Sequence, residues 1–214
     1  MKKWLSLLGF LGVLLLLAGP AAAQITPRYE LGGAFTYLDF NSPPPNISTR
    51  IHMLGGNVTF ERNFKSYVSL LVDGGFQYKN QGIVSAGTPP VANILGKTEV
   101  FTILAGARIY PLKHRHRITP FGQILFGAGY DRRTFPANGG FPSLTNTSWS
   151  FAWMGGGGID FRLSQHWAVH AFEFDYLHTA FFGEIPAQGS YRISVGMTYR
   201  WGRRTTPAAA PPAK

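Results

Sequence analysis

Between Ser190 and Trp201 every second residue is large and apolar, and every intervening one is polar or glycine. Tyr191, Ile193, Val195, Met197, Tyr199 and Trp201 share one face; Ser190, Arg192, Ser194, Gly196, Thr198 and Arg200 share the other. A period of two predicts a β-strand with two unlike faces. Its twelve residues exceed the about five or six of an ordinary soluble strand. They suffice to cross a bilayer at a tilt, which takes about 9–11 residues.

The same unit recurs along the chain. Tyr29 to Phe40, Ile51 to Glu61, Tyr67 to Lys79, Thr98 to Tyr110, Thr119 to Arg132, Trp149 to Leu163, Trp167 to His178 and Ser190 to Trp201 give eight strand candidates. The connections Asn41 to Arg50, Asn80 to Lys97, Arg133 to Ser148 and Thr179 to Gly189 are long and rich in Pro, Gly, Ser and Asn. Arg62 to Ser66, Pro111 to Ile118 and Ser164 to His166 are shorter. Long loops at one end, short turns at the other and an even strand count predict an all-β fold, an eight-stranded antiparallel transmembrane up-and-down β-barrel with both termini in the periplasm.

The amino terminus supplies a route to that membrane. Met1-Lys2-Lys3 is basic, Leu5 to Ala18 is apolar, and Ala21-Ala22-Ala23 offers the small residues of a cleavage site, so residues 1–23 read as a secretory signal peptide with Gln24 as the first mature residue. The apolar run is shorter than the about 20 residues of a spanning helix, and Gly19-Pro20 ends it. Residues 24–202 are then the barrel and 203–214 a Pro/Ala-rich tail.

Each strand has one face that tolerates lipid. Val68, Leu70, Val72, Phe76 and Tyr78 oppose Ser69, Asp73 and Gln77; Phe101, Ile103, Ala105 and Ile109 oppose Thr102 and Arg108. Leu54, Val58 and Phe60 oppose Asn57, Thr59 and Glu61, while Trp149, Phe151, Trp153, Ile159 and Phe161 oppose Ser150, Asp160 and Arg162. An Arg turned to lipid at the midplane costs about 2–4 kcal/mol, so the opposite phase is penalised on several strands at once. The seventh strand is ambiguous. Turning its carboxylates inward puts Glu173 and Asp175 inside with Val169, Ala171 and Leu177, and His170, Phe172, Phe174, Tyr176 and His178 outside.

The expected interior then holds Glu30, Glu61, Asp73, Asp131, Asp160, Glu173 and Asp175 together with Arg108, Arg162, Arg192 and Arg200. Charges confined to so narrow a space should pair, with Asp73, Glu173 and Asp175 on strands neighbouring the arginines and Glu30 and Asp160 across the lumen. Eight strands leave room only for side chains, so ionic and polar groups are expected to plug the lumen. A soluble lipocalin-like barrel has the reverse polarity, apolar within and polar without.

Composition narrows the chemistry. Charged residues are 14% of the chain and cysteine is absent, so no disulfide, thiolate nucleophile or thiolate metal site is available. The net charge of +10 falls to about +8 once Lys2 and Lys3 leave with the signal. Its basic residues form no recognisable nucleic-acid module, and secretion argues against that partner. Gly155 to Gly158 lacks the Lys-Ser/Thr of a phosphate loop, and mid-strand glycines relieve crowding in a small barrel.

Signal, eight amphipathic strands, the aromatic-ended last strand and the Ala/Pro tail resemble the outer-membrane β-barrel family typified by the transmembrane domain of outer membrane protein A. Thr119-Pro120-Phe121-Gly122-Gln123, Trp167-Ala168-Val169 and Asp175-Tyr176 are similar to strand phrases of these barrels. The resemblance covers about Arg28 to Trp201. It implies insertion by the barrel assembly machinery, which reads the last strand; Tyr191, Val195, Tyr199 and Trp201 match that signal. The segment after Trp201 is hinge-like and extended, so the peptidoglycan-binding role of longer relatives is not expected here.

Other chemistry is sparse. His114 and His116 stand two apart among Lys113, Arg115 and Arg117, flanking cations that oppose metal binding. With Arg62, Lys65, Arg203 and Arg204 they suit a basic periplasmic rim facing phospholipid headgroups. Arg50, Lys79, Lys97, Arg132 and Arg133 lie at the opposite end, where lipopolysaccharide phosphates are candidate contacts. No cofactor, metal site or catalytic residue is expected. Lipid A deacylases are the rival class, but Tyr176-Leu177-His178-Thr179 puts its His and Thr on opposite faces of a strand. The reading is a non-enzymatic barrel with a structural, envelope-integrity role, its outer loops being candidate recognition elements; a lipid A-modifying enzyme and a narrow solute channel are the alternatives.

Overall fold

The computed structural model describes residues 27–42, 49–85, 91–111, 117–135, 137, 142–181 and 188–203. These form β1 (Pro27–Ser42), β2 (Thr49–Lys65), β3 (Val68–Ser85), β4 (Val91–Ile109), β5 (Ile118–Phe135), β6 (Leu144–Arg162), β7 (Trp167–Thr179) and β8 (Gln188–Arg203). Each strand pairs antiparallel with its neighbours in sequence, and β1 pairs with β8 to close the barrel. Closure leaves no unpaired edge, the condition for strands to lie in hydrocarbon.

The strands run past the limits that alternation predicts. Asn80 to Lys97, expected as a loop, is largely β-hairpin: β3 and β4 stay paired from Val68↔Ile109 through Ser85↔Val91, with an irregularity near Ile83. Likewise β5 and β6 pair as far as Phe135↔Leu144, taking strand into the expected loop Arg133 to Ser148. Gly and Pro mark the tips, while the paired stems have no unlike faces for a sequence pattern to reveal. At the other end β2 and β3 are joined by two residues and β6 and β7 by four. Tyr110 N donates to Tyr67 O at 2.9 Å, and Ser164 Oγ accepts from His166 N at 3.2 Å and Trp167 N at 3.0 Å.

The phase assigned to β2, β3, β4 and β6 is the one observed. Leu70, Ile103, Phe151 and Val195 are 51%, 61%, 65% and 50% exposed, whereas Asp73, Arg108, Asp160 and Arg192 are 6% exposed or less. That exposed apolar belt has no place in water and matches a lipid environment.

On β7 the residues before Phe172 depart from the expectation: Val169, expected inside, lies beside the exposed Phe161 and Met197 on the outer face, and Ala171 falls at an irregularity. His170, expected outside, is buried inside with Glu173 and Asp175. The cause is a β-bulge: Phe172 faces Ile159 and His170 faces Asp160, so Ala171 has no partner on β6. An extra residue inverts the alternation on one side of itself. Ala168 and His170 therefore turn inward before the bulge, while Glu173, Asp175 and Leu177 turn inward after it.

The interior is also less uniformly polar than expected. A buried apolar cluster includes Leu38 and Phe40 near the loop end of β1, Ile51 and Met53 on β2, and Leu177 with Phe181 at the end of β7. Leu71, Val100, Leu104, Leu125, Ala152 and Met154 belong to it too. Charged groups extend instead to the end that carries the turns and termini.

Candidate functional site

Three buried arginines organise the lumen. Arg192 on β8 bonds Asp73 Oδ1 through Nη1 at 2.7 Å, Glu173 Oε1 through Nη2 at 3.0 Å, and Asp175 Oδ2 through Nη2 at 3.0 Å and Nε at 3.2 Å. The contact with Asp73 crosses the barrel from β8 to β3. A guanidinium fork with five donors is suited to hold three carboxylates at once. Gly75 makes room nearby for Thr102 and Gln77, because a Cβ there would lie 2.6 Å from Thr102 Oγ1 and 3.2 Å from Gln77 Nε2, while Arg192 Nη1 would be at an ordinary contact distance of 3.7 Å. At Gly156 a Cβ would collide with Asp175 Oδ1 and Phe174 O, which gives the glycine run on β6 a packing reason.

Arg108 on β4 reaches Glu61 Oε2 at 3.1 Å and Glu173 Oε2 at 3.3 Å. Its Nε and Nη2 also donate to Gln123 Oε1 at 3.0 and 2.7 Å, and its guanidinium lies 4.1 Å from the centre of the Phe121 ring. Gln123 Nε2 passes the link on to Asp175 Oδ1 at 2.8 Å, and Tyr110 Oη donates to Glu61 Oε1 at 2.5 Å.

Nearest the termini, Arg200 Nε bonds Glu30 Oε2 at 2.7 Å, and its Nη2 is 3.4 Å from Asp160 Oδ2. His170 joins this group to the others, with Nδ1 2.7 Å from Asp160 Oδ1 and Nε2 3.0 Å from Glu173 Oε2. The result is one continuous chain of contacts from Asp73 to Glu30.

Of the residues expected in this network, Glu30, Asp73, Arg108, Asp160, Glu173, Asp175, Arg192 and Arg200 are brought together. Arg162 is only half-buried. Glu30 does not lie across the lumen as expected: because β1 closes on β8, it is the direct cross-strand partner of Arg200. Asp131 stands apart, bonded to Arg133 at 2.9 Å. His170, Gln123, Asn57 and Tyr110 are members that sequence reasoning did not single out. Asn57 Nδ2 donates to Asp73 Oδ2 at 2.6 Å. Its inward phase beside Glu61 was the available signal.

On the outside, Tyr191, Val195 and Tyr199 are exposed, and Trp201 is half-exposed. Trp201 stacks between Tyr199, 5.8 Å away between ring centres, and Tyr29 at 5.9 Å across the β8–β1 closure. The pair His114 and His116 lies outside the described residues, and among those described no cluster of His, Cys, Asp or Glu could hold a metal ion.

Residues 8–200 match the family of the outer membrane protein beta-barrel domain. The chain belongs to that family of outer-membrane barrels. No curated protein matches the sequence. Among solved structures, this barrel is similar to Ail, the attachment invasion locus protein of Yersinia pestis, in complex with the heparin analogue sucrose octasulfate; identity is 12%, 81% of this chain and 96% of that one are covered, and the TM-score is 0.53. Neisserial surface protein A is 9% identical over 81% and 97% of the two chains, with a TM-score of 0.53. The outer membrane protein OprG of Pseudomonas aeruginosa is 11% identical over 83% and 97%, with a TM-score of 0.52. At such identities the likeness is one of fold. The barrel lies in the outer membrane, and its apolar belt faces lipid.

Proposed function

We propose that this barrel is a non-enzymatic envelope protein whose lumen is closed by its own side chains, with its long loops a surface for partner recognition. The observation that carries the reading is the Arg192 cluster: a guanidinium 2% exposed, bonded to two carboxylates of the neighbouring strand β7 and, across the lumen, to Asp73 on β3. Side chains tied across a lumen this narrow leave no aqueous path. A cavity of about 20 Å³ among Glu30, Asn57, Glu61, Arg108, His170 and Glu173 has room for about one water, not a file of them.

Residues 1–23 act as a cleaved signal, and the mature chain enters the periplasm and is inserted by the barrel assembly machinery. Tyr191, Val195, Tyr199 and Trp201 present the recognition face. The termini and tight turns remain periplasmic, and the long loops face outward, where loops on a rigid scaffold suit partner recognition. Lipid is the constant partner: phospholipid around the periplasmic rim and lipopolysaccharide around the outer one. The absence of cysteine gives a clean test. A single Ala137→Cys change at an exposed position between β5 and β6 should react with a membrane-impermeant maleimide in intact cells, whereas Gln165→Cys, on the turn between β6 and β7, should react only after the outer membrane is opened. The opposite pattern overturns the orientation. Loss of the protein should raise sensitivity to bile salts, and a wild-type response would contradict the envelope role.

A further inference from the structure

The outside of the barrel carries a depression that the lumen network does not use. Phe76, Phe101, Tyr130 and Trp149 form a ledge around β3 to β6, with ring centres 4.6, 6.1 and 4.7 Å apart in turn. One residue pair nearer the turns, the register aligns Gly74, Ile103 and Ala128. Gly74 and Ala128, on either side of the exposed Ile103, leave a groove of about 710 Å³ below the row of rings, within the about 300–1,000 Å³ of small-molecule sites. One pair nearer the loops lies a charged group. Glu99 faces Arg132 in register, and its carboxylate is 2.5 Å from Lys97 Nζ and 3.9 Å from Arg132 Nε. Both cations remain 50% exposed, against 11% for the carboxylate. The 3.9 Å contact exceeds hydrogen-bond length, so the Arg132 fork is open to a further acceptor.

We infer that this face holds one lipid A unit of lipopolysaccharide, with a phosphate on Lys97 and Arg132, the sugar over the Tyr130 and Trp149 rings, and an acyl chain along Gly74 and Ala128. Charge complementarity selects the occupant. Two cations around one carboxylate leave a positive rim directly above an apolar groove, matching an amphiphile with phosphate at its head and hydrocarbon below. Tyr and Trp favour that interfacial depth. The inference rests on the proposed orientation, which puts the rim in the outer leaflet where lipid A resides.

Purified protein in neutral detergent is titrated with bisphosphorylated lipid A, its dephosphorylated form and phosphatidylglycerol, followed by native mass spectrometry. Lipid A should bind more tightly than phosphatidylglycerol. Lys97→Gln with Arg132→Gln should weaken it roughly twenty-five-fold, about fivefold per cation, and leave the dephosphorylated form unchanged. Gly74→Leu with Ala128→Leu should weaken both lipid A forms about tenfold, since the groove is filled. A Cβ at Gly74 meets only Val58 O at 4.0 Å, so that variant keeps its fold, checked by heat-dependent gel mobility. Equal affinity for phosphatidylglycerol, or unchanged binding by either folded double variant, overturns the site. Reversed labelling of Ala137→Cys and Gln165→Cys instead overturns the orientation, and the lipopolysaccharide assignment with it, independently of the binding data.

Discussion

Replacing Arg192 with Leu tests the interior where its charges are most tightly coupled. Arg192 is 2% exposed, and Asp73, Glu173 and Asp175 are 1%, 2% and 0% exposed, so solvent screening is slight. After the change Asp73 keeps Asn57, Glu173 keeps Arg108 and His170, and Asp175 keeps Gln123. Two neighbouring carboxylates then share the space of the lost guanidinium. Removing one partner of a buried ion pair costs about 3–5 kcal/mol. With a urea slope near about 2 kcal/mol/M, the unfolding midpoint should fall by about 1.5–2.5 M. The assay is reversible unfolding in lipid vesicles, followed by tryptophan fluorescence and gel mobility. Arg50→Leu is the comparison, because Arg50 touches Asp39 at the shorter distance of 2.6 Å but is 46% exposed; its midpoint should not move measurably. Adding Asp73→Leu and Asp175→Leu to Arg192→Leu should recover much of the loss. Equal midpoints for Arg192→Leu and wild type would refute the buried network.

Three further outcomes follow from the same geometry. Tyr199→Asp with Trp201→Asp should block insertion, because it strips the aromatic end of the closing strand, while deleting residues 205–214 should leave heat-modifiable barrel in the membrane; the reverse result would remove β8 from the assembly step. The mature protein should begin at Gln24 by amino-terminal sequencing and fractionate with the outer membrane, and an intact leader or recovery in the periplasm would refute the signal assignment. Deleting Ala171 should cost no more than about 1 kcal/mol, since it makes β7 regular and keeps His170, Glu173 and Asp175 inward. Deleting Phe174 should abolish folding, because it drives one of the two carboxylates into lipid; similar yields of both deletions would contradict the bulge.

The phase of most strands is legible in the chain because the penalty for error is large and repeated. Arg108, Arg192 and Arg200 alternate with Ile, Tyr and Trp, and only one face of each strand tolerates hydrocarbon. The fate of His170 is hidden for the opposite reason. A one-residue bulge changes which alternation applies, and no Gly or Pro marks Ala171 as its site. The extended β3–β4 hairpin escapes detection because it stands beyond the lipid belt, where neither face must be apolar. Partners across the lumen, such as Arg192 with Asp73, depend on barrel shear, a property of all eight strands together. The apolar cluster is masked in the same way: Leu38 and Phe40 alternate with Tyr37 and Asp39, so both faces contain groups that suit an interior or an interface.

Planar-bilayer recording of the unmodified, refolded protein tests the closed lumen most directly. With the network from Asp73 to Glu30 intact at neutral pH, insertion events should bring no steady conductance above baseline. A stable, reproducible open level from the same protein would contradict a lumen closed by its own side chains.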